Sequence, residues 1–133
     1  MRIPEELLYT KDHEWVKVEG QKVWIGITDF AQEHLGDIVF VELPEVDTEV
    51  EAGNSVAVIE SVKAVSSVYS AVAGTVAEAN AELEEAPEKL NEEPYENWIL
   101  AVEMSNSDGL QGLMNAAAYE QLCLQQEEEQ KGE

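Results

Sequence analysis

The sequence has a single cysteine, Cys123, and only two histidines, His13 and His34. One cysteine excludes an internal disulfide and the paired cysteines of redox and zinc motifs, so a reducing compartment is the simpler inference. Cys123 shares a helical face with Tyr119 and Leu122, which is typical of a buried packing residue. Neither histidine has further ligands clustered with it, so the sequence predicts no metal site.

Basic residues are also scarce. The chain has 7 Lys and Arg and 29 Asp and Glu, which gives a net charge of −22. A surface this negative repels the phosphates of nucleic acids and of anionic membranes. Nucleic acid and membrane surfaces are therefore excluded as partners. The charge instead favours protein partners with basic docking faces. We expect the chain to be a monomer.

Long hydrophobic runs are absent, and the N-terminus lacks the apolar core of a signal peptide. We expect a cytoplasmic protein, or a protein of the mitochondrial matrix if the source is eukaryotic and a transit peptide has been removed. The length predicts one domain over residues 1–133. Its core is expected at about residues 9–124, and residues 125–133 are expected to form a frayed acidic tail.

Short β-rich runs separated by turn residues account for most of the chain. They predict a mainly β protein, a small antiparallel sandwich or flattened barrel with a helical C-terminus. Trp15, Trp24 and Trp98 fall on these runs and are interpreted as core residues. The predicted strands are Glu14–Val18, Lys22–Ile27, Ile38–Leu43, Ser55–Ser61, Ala64–Ser70, Gly74–Asn80 and Trp98–Met104.

Three segments have the spacing of helices. Thr28–Leu35 begins where either Thr28 or Asp29 can cap a helix, and it stops at Gly36. Leu110–Met114 and Asn115–Glu129 predict a short and a longer helix near the C-terminus. The acidic stretch Glu78–Glu96 contains two prolines and is interpreted as a solvated connection with a helical turn around Pro87–Leu90.

One lysine is isolated in the acidic sequence, because no other Lys or Arg lies between Lys22 and Lys89. The runs Ser55–Ser61 and Ala64–Ser70 predict two strands joined by a tight turn, which places Lys63 at the tip. A lysine at such a tip presents its ε-amine to solvent on a rigid mount. The ordinary interpretation is a solubilising or edge-protecting residue. The alternative is a modification site.

The surrounding residues favour modification. Glu60–Ala64 (ESVKA), with Gly53 ten positions before Lys63 and Gly74 eleven positions after it, resembles the modified hairpin of lipoyl and biotinyl carrier domains. The resemblance extends in order over most of the chain, and it is to the H proteins of the glycine cleavage system. The segments that carry it are Tyr9–Val16, Gly26–Pro44, Glu60–Tyr69, Glu92–Tyr95 and Ala118–Leu122.

This resemblance implies a fold, a cofactor and a set of partners. The implied fold is a hybrid barrel-sandwich related to lipoyl domains, with short peripheral helices and a C-terminal helix. Lys63 would carry covalent lipoate, attached by a lipoate ligase or lipoyltransferase. The arm would shuttle an aminomethyl group between a pyridoxal-phosphate glycine decarboxylase, a folate-dependent aminomethyltransferase and dihydrolipoamide dehydrogenase. The chain itself would be a carrier and not an enzyme.

H proteins shield the loaded arm in a surface cleft, and the resemblance implies three cleft residues here. Glu14 matches a position that faces the amino group of the arm, and His34 lies in the matching helical segment. Ser67 stands where many members have Asp, which removes one expected carboxylate contact. Glu14 as a solvated strand residue and His34 as a packing residue on the helix are the alternative interpretations.

Other functions remain open at this stage. The chain could be a relay that donates lipoate to other lipoyl domains, or an interaction domain whose lysine is never modified. A biotinyl carrier is disfavoured, because biotin families place Met on both sides of the lysine whereas Val62 and Ala64 occupy those positions here. No motif of an independent enzyme is found, so no catalytic residue is predicted.

Overall fold

The computed structural model describes residues 1–131 as a mainly β protein with two antiparallel sheets. Nine strands and five helical segments follow each other along the chain. They are β1 Leu8–Tyr9, β2 Glu14–Glu19, β3 Lys22–Ile27, α1 Asp29–Leu35, β4 Ile38–Glu42, β5 Glu49–Val50, β6 Ser55–Ser61, β7 Val65–Tyr69, β8 Gly74–Ala79, α2 Glu82–Glu85, α3 Lys89–Glu92, β9 Leu100–Met104, a 3-10 helix Asp108–Gly112 and α4 Ala116–Lys131.

The strands form a sandwich. A six-stranded sheet has the order β1-β2-β3-β9-β8-β5, and a three-stranded sheet has the order β4-β6-β7. β-Branched and aliphatic side chains on the facing sides of both sheets form the main core, which includes Ile25, Val41, Ile59 and Val102. The predicted mainly β class with peripheral helices and a C-terminal helix is therefore confirmed, and the arrangement is an open sandwich.

A second apolar cluster lies beneath α4. Tyr119 and Cys123 are completely buried there and pack with Phe30 and Trp15. The ring of Tyr119 stacks on that of Tyr9 with 4.6 Å between centroids. Cys123 is thus a buried packing residue, as predicted. This cluster attaches α4 to the edge of the six-stranded sheet.

The tryptophans only partly match their predicted core role. Trp15 is buried and donates through Nε1 to the carbonyl oxygen of Pro94. Trp24 and Trp98 are half-buried and meet edge to face at 4.8 Å. All three line a cavity of about 260 Å³. The register pairs Lys17 with Trp24, so this cavity lies on the outer side of the six-stranded sheet.

The acidic stretch 78–96 is more ordered than its composition suggests. Part of it extends β8, and the rest forms α2 and α3, whose Leu83 and Leu90 are completely buried. The prediction of a solvated connection is wrong for these residues. Burial of the two leucines fixes the segment against the core, and the many neighbouring glutamates make this hard to recognise from composition. No helix among residues 1–131 is long and apolar enough to cross a membrane.

The C-terminal helix extends further than expected. The short helix predicted at Leu110–Met114 is a 3-10 helix at Asp108–Gly112, and α4 begins after Asn115, whose side chain accepts from the backbone N–H of Ala118. Residues 125–131, expected to fray, continue α4. Gln126 holds this part of the helix through a hydrogen bond to His13. Residues 132 and 133 of the predicted tail lie outside the described residues.

The close contact between Gly26 and Trp15 gives a test of the packing. Gly26 pairs with Trp15 across β2 and β3, and a Cβ on Gly26 would lie 2.5 Å from Cε2 of the indole. Gly26→Ala should therefore lower the free energy of unfolding by about 2 kcal/mol, since the indole has to shift in a packed cluster. The melting temperature should fall by several degrees. Gly112→Ala is the matched control, because no atom lies within 4 Å of its Cβ position. Equal melting temperatures for the two variants would contradict this account.

Candidate functional site

The tip of the β6–β7 hairpin is held by the side chain of Ser61. The backbone N–H of Ser61 donates to the carbonyl oxygen of Ala64 at 2.8 Å and closes the turn. Its hydroxyl oxygen accepts from the N–H of Lys63 at 3.2 Å and of Ala64 at 3.0 Å. Serine thus provides the turn chemistry that an Asn-Gly pair often provides. A further bond from the N–H of Val62 to the oxygen of Asp37, at 3.0 Å, ties the tip to the loop after α1.

Lys63 is exposed at this tip. None of the ion pairs found among residues 1–131 involves its ammonium group. The aliphatic part of the side chain runs across Gly36, the residue that ends α1 with a φ of 74°. A Cβ at that glycine would lie 2.7 Å from Cε of Lys63. The structure therefore brings the predicted lysine to an accessible position beside the C-terminus of α1.

His34 lies beside a small cavity near the hairpin. The cavity has a volume of about 200 Å³, and its lining residues are Asp12, His13, Phe30, Ala31, His34, Leu35 and Ser66. The ring of Phe30 is stacked between His34, at 4.0 Å, and His13, at 4.4 Å. Nδ1 of His34 lies 2.9 Å from the carbonyl oxygen of Phe30, so this nitrogen carries the proton and donates. The cavity thus has apolar walls and a polar rim.

Glu14 lies in β2 and is buried, with 2% of its surface exposed. Its carboxylate accepts from the hydroxyl of Thr10 at 2.9 Å and from the N–H of Tyr69 at 2.7 Å. Burial raises the pKa of Glu14 to about 7 against the effect of these two donors. The interpretation of Glu14 as a solvated strand residue is therefore wrong. It lines a cavity of about 450 Å³ beside β7.

One surface cleft was expected beside the hairpin, and the structure has two neighbouring cavities there. Glu14 lines the larger one and His34 the smaller one, and Asp12 lines both. Ser67 lines neither of these two cavities. It pairs with Val58, whereas Ser66 pairs with buried Ile59 and faces inward. Strand alternation therefore puts Ser66, and not Ser67, beside His34.

His13 links the site to the C-terminal helix, a role that sequence reasoning missed. Its Nε2 lies 2.8 Å from Oε1 of Gln126, and its Nδ1 lies 2.7 Å from the hydroxyl of Tyr119. That hydroxyl also lies 2.6 Å from Oγ1 of Thr28, the N-cap of α1. Burial lowers the pKa of His13, so the neutral ring donates to Gln126 and accepts from Tyr119. A φ of 68° at His13, unusual for a residue other than glycine, gave no signal in the sequence.

The fold and the site together define a class of protein. A β sandwich with a single exposed lysine at the tip of a hydrogen-bonded hairpin, beside an apolar cavity, has the form of a swinging-arm carrier domain. Among residues 1–131 no group of three or more His, Cys, Asp or Glu side chains could hold a metal ion. The site therefore presents an accessible lysine amine and, near it, a small cavity with partly apolar walls.

Comparison with known proteins gives the particular family. The family model described as glycine cleavage H-protein matches residues 7–126. The glycine cleavage system H protein of Syntrophomonas wolfei subsp. wolfei is 57% identical over 133 residues, which is 100% of each chain. That of Alkaliphilus oremlandii is 56% identical over 123 residues, 92% of this chain and 97% of the relative. The chain belongs to the glycine cleavage H-protein family.

A solved structure supports the same assignment. The crystal structure of a glycine cleavage system H protein from Mycobacterium marinum matches with a TM-score of 0.80 and 36% identity, over 88% of this chain and 95% of that one. The family identified from the ordered sequence segments is thereby confirmed. The comparisons do not favour the alternative of a lipoylation relay or an unmodified interaction domain.

The buried carboxyl group of Glu14 predicts a pH-dependent stability. Its pKa in the folded chain, about 7, lies above the ordinary value of 4.5, so the folded state binds more protons between these values. Stability should therefore fall as pH rises through this range, by roughly 2 to 3 kcal/mol in total. Glu14→Gln should remove the effect, because an amide does not ionise.

Thermal unfolding at pH 5 and pH 8 measures this difference. The Glu14→Gln variant should gain several degrees relative to the unsubstituted protein at pH 8 and little at pH 5. Glu84→Gln, at an exposed position in α2, is the control and should behave alike at both pH values. A Glu14→Gln effect of the same size at pH 5 and pH 8 would show that the carboxylate is not under a desolvation penalty.

Proposed function

We propose that this chain is the lipoyl carrier of a glycine cleavage system, with lipoate joined by an amide bond to Nζ of Lys63. The observation that carries the proposal is the exposed ammonium group of Lys63 on a hairpin tip held by Ser61, in a chain of the H-protein family. A modifying enzyme can reach this amine without breaking an ion pair of the described residues. Acylation removes its charge, which makes the side chain compatible with an apolar cavity.

The shape of the surface near Lys63 suits a long aliphatic arm. Phe30, Ala31 and Leu35 give the smaller cavity its apolar walls, and the arm would lie against them. Glu14, in β2, accepts from the N–H of Tyr69 in β7, and Tyr69 lies four residue steps beyond Val65, about 13 Å at 3.3 Å per residue. A lysine side chain extended by lipoate spans this distance, so the two neighbouring cavities can serve one arm.

Glu14 is suited to an amino group carried on the arm. Its carboxylate accepts hydrogen bonds from two neutral donors, and burial keeps part of the group protonated near neutral pH. A positively charged amine brought beside it would favour the carboxylate form and pair with it. His34 and Asp12 lie at the rim of the neighbouring cavity, where they would orient the arm. Ser67 faces away from this cavity and is not included in the proposed contact surface.

The bound lipoate supplies a dithiolane that can accept and release an aminomethyl group, and the protein supplies the mount and the shelter. The proposed partners are a pyridoxal-phosphate glycine decarboxylase, a folate-dependent aminomethyltransferase, dihydrolipoamide dehydrogenase, and a lipoate ligase or lipoyltransferase. Tethering raises the concentration of the reactive sulfur at a docked active site to roughly the millimolar range. The carrier would act as a monomer and as a single domain with its core at about residues 9–124.

Modification of Lys63 is tested by intact mass. The chain expressed with lipoate and a lipoate ligase should gain the mass of one lipoyl group, and Lys63→Arg should abolish the gain because a guanidinium is not acylated by the ligase. Lys89→Arg is the matched control and should keep the gain. A mass increase that survives Lys63→Arg would place the modification elsewhere and refute the assignment.

The place of the carrier in glycine cleavage is tested by carbon exchange. Loaded chain added to a glycine decarboxylase should accelerate the incorporation of labelled carbon dioxide into the carboxyl group of glycine. Unmodified chain at the same concentration should leave the rate at its background value. If the loaded chain donates lipoate to an acceptor domain but does not support exchange, the relay function replaces the one proposed here.

A further inference from the structure

Exposed apolar side chains are concentrated around the hairpin tip. Val62 and Val65 are each 67% exposed, Val39 is 55% exposed and Phe40 is 46% exposed. We call these four residues the apolar collar. They are half of the large hydrophobic residues that are exposed among residues 1–131. Such clustering on a soluble surface marks a contact site more often than a chance distribution does.

The strand register places two collar residues, Phe40 and Val65, on the same face of the smaller sheet, on either side of Glu60. Glu60 in β6 pairs with Phe40 of β4 on one side and with Val65 of β7 on the other, so the three side chains form a row across the outer face of the smaller sheet. Val62 extends this row into the turn, next to Lys63, and its N–H is bonded to Asp37 at the start of β4. The collar therefore surrounds the attachment point of the proposed arm.

Acidic residues lie at the edge of the collar. Asp37 and Glu42 are exposed, and Glu60 lies within the row itself. Apart from Lys63, whose charge acylation removes, no basic residue lies between Lys22 and Lys89. An apolar centre with a charged rim is the arrangement of a protein interface, and this rim would match basic residues on the partner.

We propose that the apolar collar docks on the pyridoxal-phosphate enzyme that decarboxylates glycine, around the entrance through which the arm reaches the active site. This inference rests on the proposed function. The carbon that loses carbon dioxide would be protonated by water, so the entrance has to be sealed while the arm is inside. Valine and phenylalanine side chains exclude water from such a seal, and the acidic rim sets the orientation.

Binding of the unmodified chain to glycine decarboxylase tests the collar without any contribution from the arm. The variant with Phe40→Ser, Val62→Ser and Val65→Ser should have a dissociation constant at least about tenfold higher than the unsubstituted chain in titration calorimetry. Its salt dependence should be unchanged, because the acidic rim is intact. Val46→Ser is the matched control, since Val46 is 51% exposed outside the collar, and its dissociation constant should stay the same.

A variant with fewer substitutions is included in case the triple variant does not fold. Val62→Ser with Val65→Ser leaves β4 unchanged. Circular dichroism and thermal unfolding show whether each variant is folded before its binding is compared. The loaded variants should show a raised KM for the carrier in carbon exchange, with kcat near that of the unsubstituted protein. An unchanged dissociation constant, or an equal loss in Val46→Ser, would overturn the collar as the docking surface.

Other outcomes are distinct from failure of the proposed function. Normal binding of the collar variants to the decarboxylase, with weakened binding to the aminomethyltransferase or the ligase, would assign the collar to another partner and overturn this inference. Whichever of these two partners uses the collar, the loaded, unsubstituted chain still supports carbon exchange. If that chain gains no lipoyl mass, or supports no exchange when loaded, the proposed function itself has failed.

Discussion

The position of Lys63 depends on a turn that is fixed from two directions. The Ser61 hydroxyl accepts two backbone N–H groups inside the turn, and the N–H of Val62 donates to Asp37 outside it. The first interaction sets the shape of the tip and the second sets its place relative to α1. A flexible arm on an equally flexible loop would explore a much larger volume, which would lower the effective concentration of its reactive end at a partner's active site. The rigid turn therefore restricts movement at the tip to the side chain of Lys63, which suits the arm proposed there.

A second set of hydrogen bonds shapes the surface beside the tip. Oγ1 of Thr10 accepts from the N–H groups of Asp12 and Glu14, each at 3.2 Å, and donates to the carboxylate of Glu14. This tight local turn directs His13 toward the C-terminal helix and Glu14 toward β7. Tyr119 then joins His13 to the cap of α1 through one hydroxyl. The helix after residue 115 is thus part of the support of the cavities.

Sequence reasoning predicted the regular elements well and the cavities poorly, for a physical reason. Strands β3 and β6 were predicted at their observed bounds, because β-branched runs with flanking turn residues depend on local chemistry. The placement of Lys63 followed from the same signals. Whether Ser66 or Ser67 faces the cavity depends on the register of β7 on β6 and on which face of their sheet is covered. The order of segment 82–92 depends on the burial of two leucines. Both are tertiary effects that a single sequence does not specify.

Three local features have a cost for the free chain, and none of them improves the sandwich. His13 adopts a left-handed backbone conformation, Glu14 buries a carboxyl group, and Val62 and Val65 expose apolar surface. The conformation of His13 is held by its hydrogen bonds to Tyr119 and Gln126, whereas the proposed arm and partner would offset the costs at Glu14 and at the two valines. An amine beside Glu14 would offset the desolvation of the carboxylate, and a partner over the two valines would cover them. Because such costs are usually tolerated where function requires them, their grouping around the hairpin and its cavities supports a carrier whose surface is complete only with its arm and its partner.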